Sequence, residues 1–178
     1  ATAATRDYVL KVNRSAGGAV LNIFGGKITT YRRLAESALE LIDVEFKRKT
    51  NKWTAKAAMP GGDFPVNGVK NLSDKLSNNL PFLSEKTIKR FIRQYGTEAA
   101  IIFEGCTSLE DLGINFGHGI FQRELDWAIA NEWVTHADDF LWRRSKLGLR
   151  LCYEEKDEIN AYIAKIMADQ RAEPENHL

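Results

Sequence analysis

The sequence predicts a mostly α-helical protein in which a helical carboxy-terminal domain follows a β-hairpin–turn–helix segment. Three observations support this prediction. Residues 8–13 alternate in character, and an apolar run over residues 19–24 follows a glycine turn, as in paired strands. Residues 31–42 carry apolar side chains at three- and four-residue spacing, and several capped segments with the helical period follow. We therefore expect three parts: residues 1–50, a linker over residues 51–69 and a helical domain over residues 70–178.

A β-hairpin and a helix make up the first part. The alternation from Tyr8 to Asn13 and the apolar run from Ala19 to Phe24 predict two strands joined by the turn Ala16-Gly17-Gly18. Gly25-Gly26 then ends the second strand, and Thr29 or Thr30 is placed to cap the helix that follows. The predicted order is strand, glycine turn, helix.

The linker is predicted from its proline and glycine content. The run Met59-Pro60-Gly61-Gly62-Asp63-Phe64-Pro65 sustains neither the helical nor the strand period. Beyond it, Ser84 is placed as the N-cap of a helix and Gly96 as the residue that stops it. The other helices are predicted near residues 72–76, from Thr97 to Phe103, over 121–133, after the cap-like Thr135-x-x-Asp138 and over 154–172.

Composition excludes several classes of protein. Hydrophobic residues make up 44% of the 178 residues, but no stretch approaches the roughly 18–20 uncharged apolar residues that span a bilayer. Cys106, Cys152 and the three histidines show neither disulfide-framework nor metal-ligand spacing. We therefore expect a soluble protein of a reducing compartment without a metal site. Because the sequence begins with Ala and runs almost at once into a strand, we also expect a piece of a longer polypeptide.

Charge is distributed unevenly along the chain. Residues 1–58 carry 11 Lys and Arg against 5 Asp and Glu, a net charge of +6, whereas residues 59–178 carry 14 against 19, a net charge of −5. A basic segment such as Lys47-Arg48-Lys49 suits nucleic acid, an anionic membrane or an anionic substrate. A solvated face without any partner is the alternative that the sequence leaves open.

The segment Phe24-Gly25-Gly26-Lys27-Ile28-Thr29-Thr30-Tyr31 has the clearest chemical potential. Its two glycines let the backbone approach a ligand, and the following helix N-terminus offers N–H donors. Lys27 adds a positive charge and two threonines add hydroxyls, so the turn suits a phosphate or the electron-rich edge of a flavin. By pattern alone a simple tight connection remains an alternative, because the segment is neither a Walker A loop nor a GxGxxG fingerprint.

Motifs along the whole chain carry a family resemblance. The first half holds Thr5-Arg6-Asp7-Tyr8, the turn from Phe24 to Arg33, and Pro60-Gly61-Gly62. The second half holds Arg93-x-Tyr95-Gly96, Asp111-Leu112-Gly113, Phe116-Gly117, Glu132-Trp133 and the run from Asp138 to Gly148. In this order the motifs resemble the carboxy-terminal part of the aerobic FAD-dependent glycerol-3-phosphate dehydrogenases. The resemblance implies that residues 1–50 are the terminal fragment of a truncated FAD-binding and substrate-binding α/β domain.

The resemblance also implies a reaction and a set of site residues. The family oxidises sn-glycerol 3-phosphate to dihydroxyacetone phosphate and passes electrons through FAD to a membrane quinone. Arg6 matches an arginine that binds the substrate phosphate through its guanidinium. Lys27 matches a lysine beside flavin and substrate, where it acts by its charge and is the catalytic candidate. The residues that match donors to the flavin ring are Gly25, Gly26, Ile28, Thr29 and Thr30.

The chain departs from the full family pattern in one respect. It contains no strand–GxGxxG–helix to hold the ADP part of FAD. We therefore expect it to need an amino-terminal FAD domain, and to be inactive and without tightly held FAD when alone. The resemblance places the whole enzyme on the inner face of the cytoplasmic membrane. Oxygen in place of quinone, and a homodimer, remain open.

A helical interaction module without catalysis is the alternative function. Such a module binds another subunit, an anionic membrane or nucleic acid. The helical half offers contact residues in Trp127, Trp133, Trp142 and Arg144. The alternative interpretation is that five charged residues form ion pairs and caps around Trp133 and Trp142: Glu132, Asp138, Asp139, Arg143 and Arg144. No nucleic-acid binding is expected, because total charge is nearly balanced and no helix-turn-helix or RNA-binding signature occurs.

Overall fold

The computed structural model describes residues 7–15 and 17–172, which are mostly helical. The described residues begin with two strands, β1 (Val9–Ser15) and β2 (Gly18–Phe24). The α-helices that follow are α1 (Tyr31–Glu45), α2 (Val69–Asn79), α3 (Glu85–Tyr95), α4 (Ala99–Ile102), α5 (Gln122–Asn131) and α6 (Tyr153–Ala172). The chain divides into two compact units, Ala1–Ala58 and Met59–Leu178. The predicted fold class, a hairpin–turn–helix followed by helices, is confirmed.

The first unit contains the hairpin and α1. β1 and β2 pair antiparallel along their whole length, from Val9 opposite Phe24 to Ser15 opposite Gly18. Because a lone hairpin is marginally stable in water, α1 supplies a necessary packing surface. The Tyr8 hydroxyl lies 3.1 Å from the Ser37 hydroxyl of α1. Even so, none of the hydrophobic side chains described in this unit is buried.

The start of α1 differs from the prediction. Thr30 stands at the N-cap, but its hydroxyl makes no hydrogen bond to the first turn of α1. Instead that hydroxyl donates to the Lys27 carbonyl, within a short 3-10 turn over Ile28–Thr30 that leads into α1. The threonine hydroxyl therefore stabilises the turn before the helix.

Part of the predicted linker folds back on α1. The Thr54 hydroxyl donates to the Glu36 carboxylate, and the Lys52 ammonium lies 2.6 Å from the Glu40 carboxylate. The division between the two compact units falls after Ala58, inside residues 51–69. These residues are thus shared between the units.

The second unit holds two clusters of buried apolar side chains. In the first, the Phe91 ring lies 4.5 Å from the Phe103 ring, measured between centroids, where α3 meets the end of α4. In the second, Leu125 of α5 and Phe140 pack with Ile163 of α6. Since burying one large apolar side chain contributes about 1.5–3 kcal/mol, each cluster stabilises the unit substantially.

Ser84 and Gly96 bound α3, as predicted. The Ser84 hydroxyl accepts the Thr87 N–H at 3.1 Å, and Gly96 has φ 55° at the other end. Thr97 does not cap α4 as predicted, because Glu98 occupies the N-cap position of that helix. The Thr97 N–H donates instead to the Gly61 carbonyl at 3.0 Å. A Cβ at Gly96 would overlap that same carbonyl oxygen. The two glycines therefore permit a close approach of two backbone segments.

Asp139, rather than Asp138, closes the turn that begins at Thr135. Its Oδ2 accepts the Thr135 N–H at 3.1 Å, the Thr135 hydroxyl at 3.1 Å and the His136 N–H at 3.0 Å. Donation by the Thr135 N–H is the main reason that the pKa of Asp139 is lowered. A π-helical turn over Asp139–Arg144 follows. The carboxylate that accepts the N–H groups of Thr135 and His136 therefore lies one residue later than predicted.

Membrane-spanning and metal-binding features were sought in the part of the chain that the structure describes. There, none of the helices is long and apolar enough to cross a bilayer. In the same residues we find no group of three or more His, Cys, Asp or Glu side chains that could hold a metal ion. Cys106 is buried and Cys152 is exposed, and both are free thiols.

Candidate functional site

The glycine turn after β2 has a backbone that only glycine adopts readily. Gly25 has φ 75° and Gly26 has φ 111°. A Cβ at Gly25 would lie 3.1 Å from the Asp7 carbonyl oxygen. Left-handed backbone and close approach both disfavour a side chain here. The turn and the beginning of β1 are consequently neighbours at the open end of the hairpin.

A small hydrogen-bond ring fixes the residues after the glycines. The Lys27 N–H donates to the Thr30 hydroxyl at 3.3 Å, and that hydroxyl donates to the Lys27 carbonyl at 3.0 Å. The Thr30 N–H also donates to the Lys27 carbonyl, at 2.9 Å. Ile28 and Thr29 project between these anchors, and Ile28 is 89% exposed. Hydrogen bonds between Lys27 and Thr30 thus fix the turn, and the residues between them are exposed to solvent.

Lys27 carries the charge of this turn. Among the described residues, no carboxylate lies within 4 Å of its ammonium, whereas several other cations of the first unit are paired. One example is Arg32, 3.2 Å from Glu36 on α1. The Thr54 hydroxyl, followed by the positive charges nearby, lowers the pKa of Glu36. Because the acidic groups of α1 pair elsewhere, the positive charge of Lys27 remains available to an anion.

The predicted substrate residue Arg6 lies outside the described residues. Its neighbours in the motif are described: Asp7 accepts the Tyr8 N–H at 2.9 Å through its own carboxylate. The structure therefore brings Asp7-Tyr8 and the glycine turn together, although they are about 18 positions apart in the sequence.

The surface around the turn is apolar and uncovered. Half or more of the surface of each of these side chains is exposed: Ile23, Phe24, Ile28 and Tyr31. Exposed large apolar side chains that are contiguous in a fold mark surfaces that another element covers. The turn has the features of one wall of a site rather than of an enclosed pocket.

The family motifs of the helical half make contacts that stabilise the second unit. Gly61 packs against Gly96, and Asp111 accepts the N–H groups of Thr107 and Ser108 at 2.7 and 2.9 Å. A Cβ at Gly148 would lie 2.7 Å from the Trp142 ring. These contacts join segments of the second unit, and they account for most of the motifs without any ligand.

Two features of the second unit were not predicted from the sequence. Glu124 is completely buried and accepts two hydrogen bonds from Arg90, at 2.6 and 2.8 Å, and one from the Tyr95 hydroxyl, at 2.8 Å. Burial, with the Glu124 charge, raises the pKa of Tyr95 far above its ordinary value. The second feature is a basic cleft beside Arg90. The basic groups of α3 gave the only sequence signal for it.

Comparison with known proteins identifies relatives for most of the chain. The family model for the C-terminal domain of alpha-glycerophosphate oxidase matches residues 52–174. A glycerol-3-phosphate dehydrogenase of Pseudomonas aeruginosa is 40% identical over 163 residues, covering 91% of this chain and 32% of that protein. The aerobic glycerol-3-phosphate dehydrogenase of Escherichia coli is 35% identical over 165 residues, covering 92% and 32%. The D-erythritol 1-phosphate dehydrogenase of Brucella abortus is 34% identical over 155 residues, covering 87% and 31%.

These similarities extend over both units. A coverage of 91% exceeds what the second unit alone can supply, so the match to the Pseudomonas protein includes part of the first unit. The chain spans about a third of the length of the curated relatives it matches. The chain belongs to the family of the C-terminal domain of alpha-glycerophosphate oxidase, and its curated relatives include glycerol-3-phosphate dehydrogenases.

Proposed function

We propose that this chain is part of a flavoprotein that oxidises sn-glycerol 3-phosphate to dihydroxyacetone phosphate. The relatives named for glycerol 3-phosphate, which cover more than nine-tenths of the chain, carry the proposal. The glycine turn supports it, because the turn offers an anionic ligand a fixed, open backbone beside the positive charge of Lys27.

The residues of the turn fit one edge of an isoalloxazine ring. Glycines at positions 25 and 26 leave the backbone open, and Lys27 lies beside it without a carboxylate within 4 Å in the described part of the chain. FAD would supply the acceptor for the hydride that leaves the substrate carbon. Gly25, Gly26, Ile28 and Thr29 would present backbone or hydroxyl donors to it, while the Thr30 hydroxyl already holds the turn.

Lys27 and Arg6 are the proposed catalytic and substrate-binding residues. A lysine at the electron-rich edge of the cofactor stabilises negative charge that develops there, which is an electrostatic contribution to catalysis. A guanidinium at position 6 suits the substrate phosphate, because it can donate two parallel hydrogen bonds. Asp7, next in sequence, lies against Gly25.

The chain by itself is proposed to be inactive. It contains no GxGxxG fingerprint for the ADP part of FAD, and the apolar side chains around the turn are uncovered. An amino-terminal FAD domain in the parent protein would cover this face and complete the site. Purification of the 178-residue chain with stoichiometric yellow flavin would contradict this proposal.

For the parent protein, quinone is the proposed electron acceptor and the inner face of the cytoplasmic membrane the proposed location. The basic segment Lys47-Arg48-Lys49 supports a contact with anionic lipid, because each such residue near the surface contributes about 1 kcal/mol to binding. A homodimer formed through the uncovered apolar face is the competing partner.

Dye reduction by the parent protein with FAD and glycerol 3-phosphate tests the site. We expect Lys27→Ala to lower kcat about 10²–10³-fold, by analogy with loss of one oxyanion-stabilising donor. Arg6→Ala should raise KM by about 10- to 100-fold, because a charge-assisted hydrogen bond contributes about 1.5–3 kcal/mol. Lys11→Ala removes an equal charge from an exposed strand position and should leave both constants unchanged.

The outcomes separate several accounts. Unimpaired Lys27→Ala and Arg6→Ala enzymes would refute the residue roles but not the reaction. A parent that prefers D-erythritol 1-phosphate, the substrate named for the Brucella relative, would correct the substrate. A parent that oxidises neither compound would favour the interaction module.

A further inference from the structure

A concave cleft of about 910 Å³ lies within the second unit. One side is α3, from its N-cap Ser84 to Gln94. The other is the segment over residues 144–150, and the turn at His118 and Gly119 contributes to its lining. The cleft has the volume of small-molecule sites, which are about 300–1,000 Å³. All of its lining residues belong to the second unit, whereas the glycine turn belongs to the first.

The lining of this cleft is basic, whereas the second unit as a whole is acidic. Residues 59–178 have a net charge of −5, yet the cleft is lined by 7 of their 14 Lys and Arg and by 1 of their 19 Asp and Glu. The acidic residue is Glu85. The basic residues are Lys86, Lys89, Arg90, Arg93, Arg144, Lys146 and Arg150. Half of the cations of an acidic unit therefore converge on one concavity.

Four of these cations have partners within the unit. Arg90 is held by Glu124, and Lys89 lies 2.5 Å from Glu85 at the rim. Arg144 donates to the Glu132 carbonyl at 2.7 Å, and the Lys146 ammonium donates to the Trp142 carbonyl. A backbone carbonyl orients an ammonium or guanidinium but does not neutralise its charge.

The other three cations are exposed and lack a counter-ion in the described residues. Lys86, Arg93 and Arg150 have no carboxylate within 4 Å among residues 7–15 and 17–172. Like charges gathered in a concavity repel one another, and the low-dielectric walls strengthen the field between them. This arrangement costs folding free energy, and among the described residues the ion pairs of Arg90 and Lys89 offset only part of it.

Two left-handed residues at the cleft add a second cost. His118 has φ 52° and Lys146 has φ 59°. This conformation is strained for a non-glycine residue, and such residues are concentrated at functional sites. Both line the cleft, and His118 Nε2 lies 3.7 Å from the Glu155 carboxylate. Two strained backbone positions therefore lie at the lining of the same cleft.

We infer that this cleft binds a small polyanion that carries two or more phosphate groups. Two arginines, Arg93 and Arg150, can each donate a pair of parallel hydrogen bonds to phosphate oxygens, and Lys86 adds a point charge. The concave shape and the limited volume favour a small molecule over a flat lipid surface or a nucleic-acid duplex. The inference is independent of the proposed oxidation of glycerol 3-phosphate.

Isothermal titration of the 178-residue chain with inorganic triphosphate and with ATP, at 0.15 M salt, tests the inference. We expect saturable binding of one equivalent. The Arg93→Ser/Arg150→Ser variant should bind at least about 30-fold more weakly, since each charge-assisted contact contributes about 1.5–3 kcal/mol. Lys75→Ser/Lys165→Ser, which removes two exposed cations outside the cleft, should change the affinity less than about 3-fold.

A parallel titration of the same chain followed by NMR locates the ligand through changes in the amide chemical shifts. Shifts confined to residues 84–94 and 144–150 would support the cleft, and tighter binding of ATP than of triphosphate would add a nucleoside to the ligand. The inference is overturned by the absence of saturable binding, by equal losses in the two variants, or by binding that occurs only to anionic vesicles or duplex DNA. Equal melting temperatures of the variants and wild type confirm that the comparison reports binding.

Discussion

The two units of this chain differ in what stabilises them. All the buried hydrophobic side chains of the described residues lie in the second unit, whereas in the first unit the buried residue is the polar Asp43. The first unit instead exposes apolar side chains beside the glycine turn and on the last turn of α1, such as Phe24, Val44 and Phe46. The difference indicates that the second unit can fold by itself and that the first requires a covering surface.

The largest effect is expected in the second unit, at its buried ion pair. Glu124→Gln should lower the free energy of unfolding by about 3–5 kcal/mol, because it removes the completely buried counter-ion of the partly buried Arg90. Urea denaturation followed by circular dichroism measures this. Glu85→Gln, which removes an exposed partner of Lys89, should change the free energy of unfolding far less, because solvent screens this pair. Equal costs for the two variants would contradict the role of burial.

The close approach of two glycines gives a second large effect. Gly96→Ala should destabilise the second unit by about 2–5 kcal/mol, through left-handed strain and overlap with the Gly61 carbonyl. Gly105→Ala is the matched control, since Gly105 has φ 77° with nothing within 4 Å of the added Cβ. It should cost about 1–2 kcal/mol. Thermal melts that rank the two variants the other way would show that the backbone contact is unimportant.

The opposite charges of the units lead to a prediction about lipid. Replacing Lys47, Arg48 and Lys49 with serine should weaken binding of the parent protein to anionic vesicles by about 3 kcal/mol, or roughly 100-fold. Sedimentation with vesicles of known phosphatidylserine content measures the change. Equal binding to neutral vesicles would exclude an electrostatic contact.

The smallest effect concerns Glu132, a partly buried carboxyl near the ends of α4 and α5. Burial raises the pKa of Glu132. The folded state therefore holds the proton more tightly than the unfolded state, and stability is lost as pH rises through the raised pKa. Glu132→Gln should melt slightly above wild type at pH 7 and level with it at pH 4. Calorimetry at both pH values tests this, and a variant that melts lower at pH 7 would contradict it.

Local patterns predicted much of the fold. The hairpin, α1, α3 and α6 follow from strand alternation, helical spacing and caps, all of which act between residues near in sequence. Ser84 and Gly96 bound α3 as predicted. Thr30 and Asp138 did not cap as expected, because the hydrogen bond that a polar side chain makes depends on the conformation of the turn around it. The family resemblance was found because its motifs lie along the whole chain.

Long-range features were not predictable in the same way. The basic cleft assembles residues from three segments, and the net acidic charge of residues 59–178 conceals it. Glu124 lies in an amphipathic helix, where a buried carboxylate is not expected. Trp133, which the sequence offered as a contact residue, is 85% exposed and has φ 56°, a backbone conformation that no local pattern predicted. The roles of Arg6 and of the glycine-turn residues stay predictions, because they depend on groups that this chain does not contain.

Hydrogen exchange measured by mass spectrometry tests the difference between the units most directly. The same residues are compared in this chain and in the parent protein with FAD. We expect the amides of α3 and α6 to be protected equally in both, and those of β1, β2 and α1 to be protected in the parent but to exchange rapidly in the chain. Equal, strong protection of the first unit in both proteins would contradict the account, since that unit would then need no covering surface.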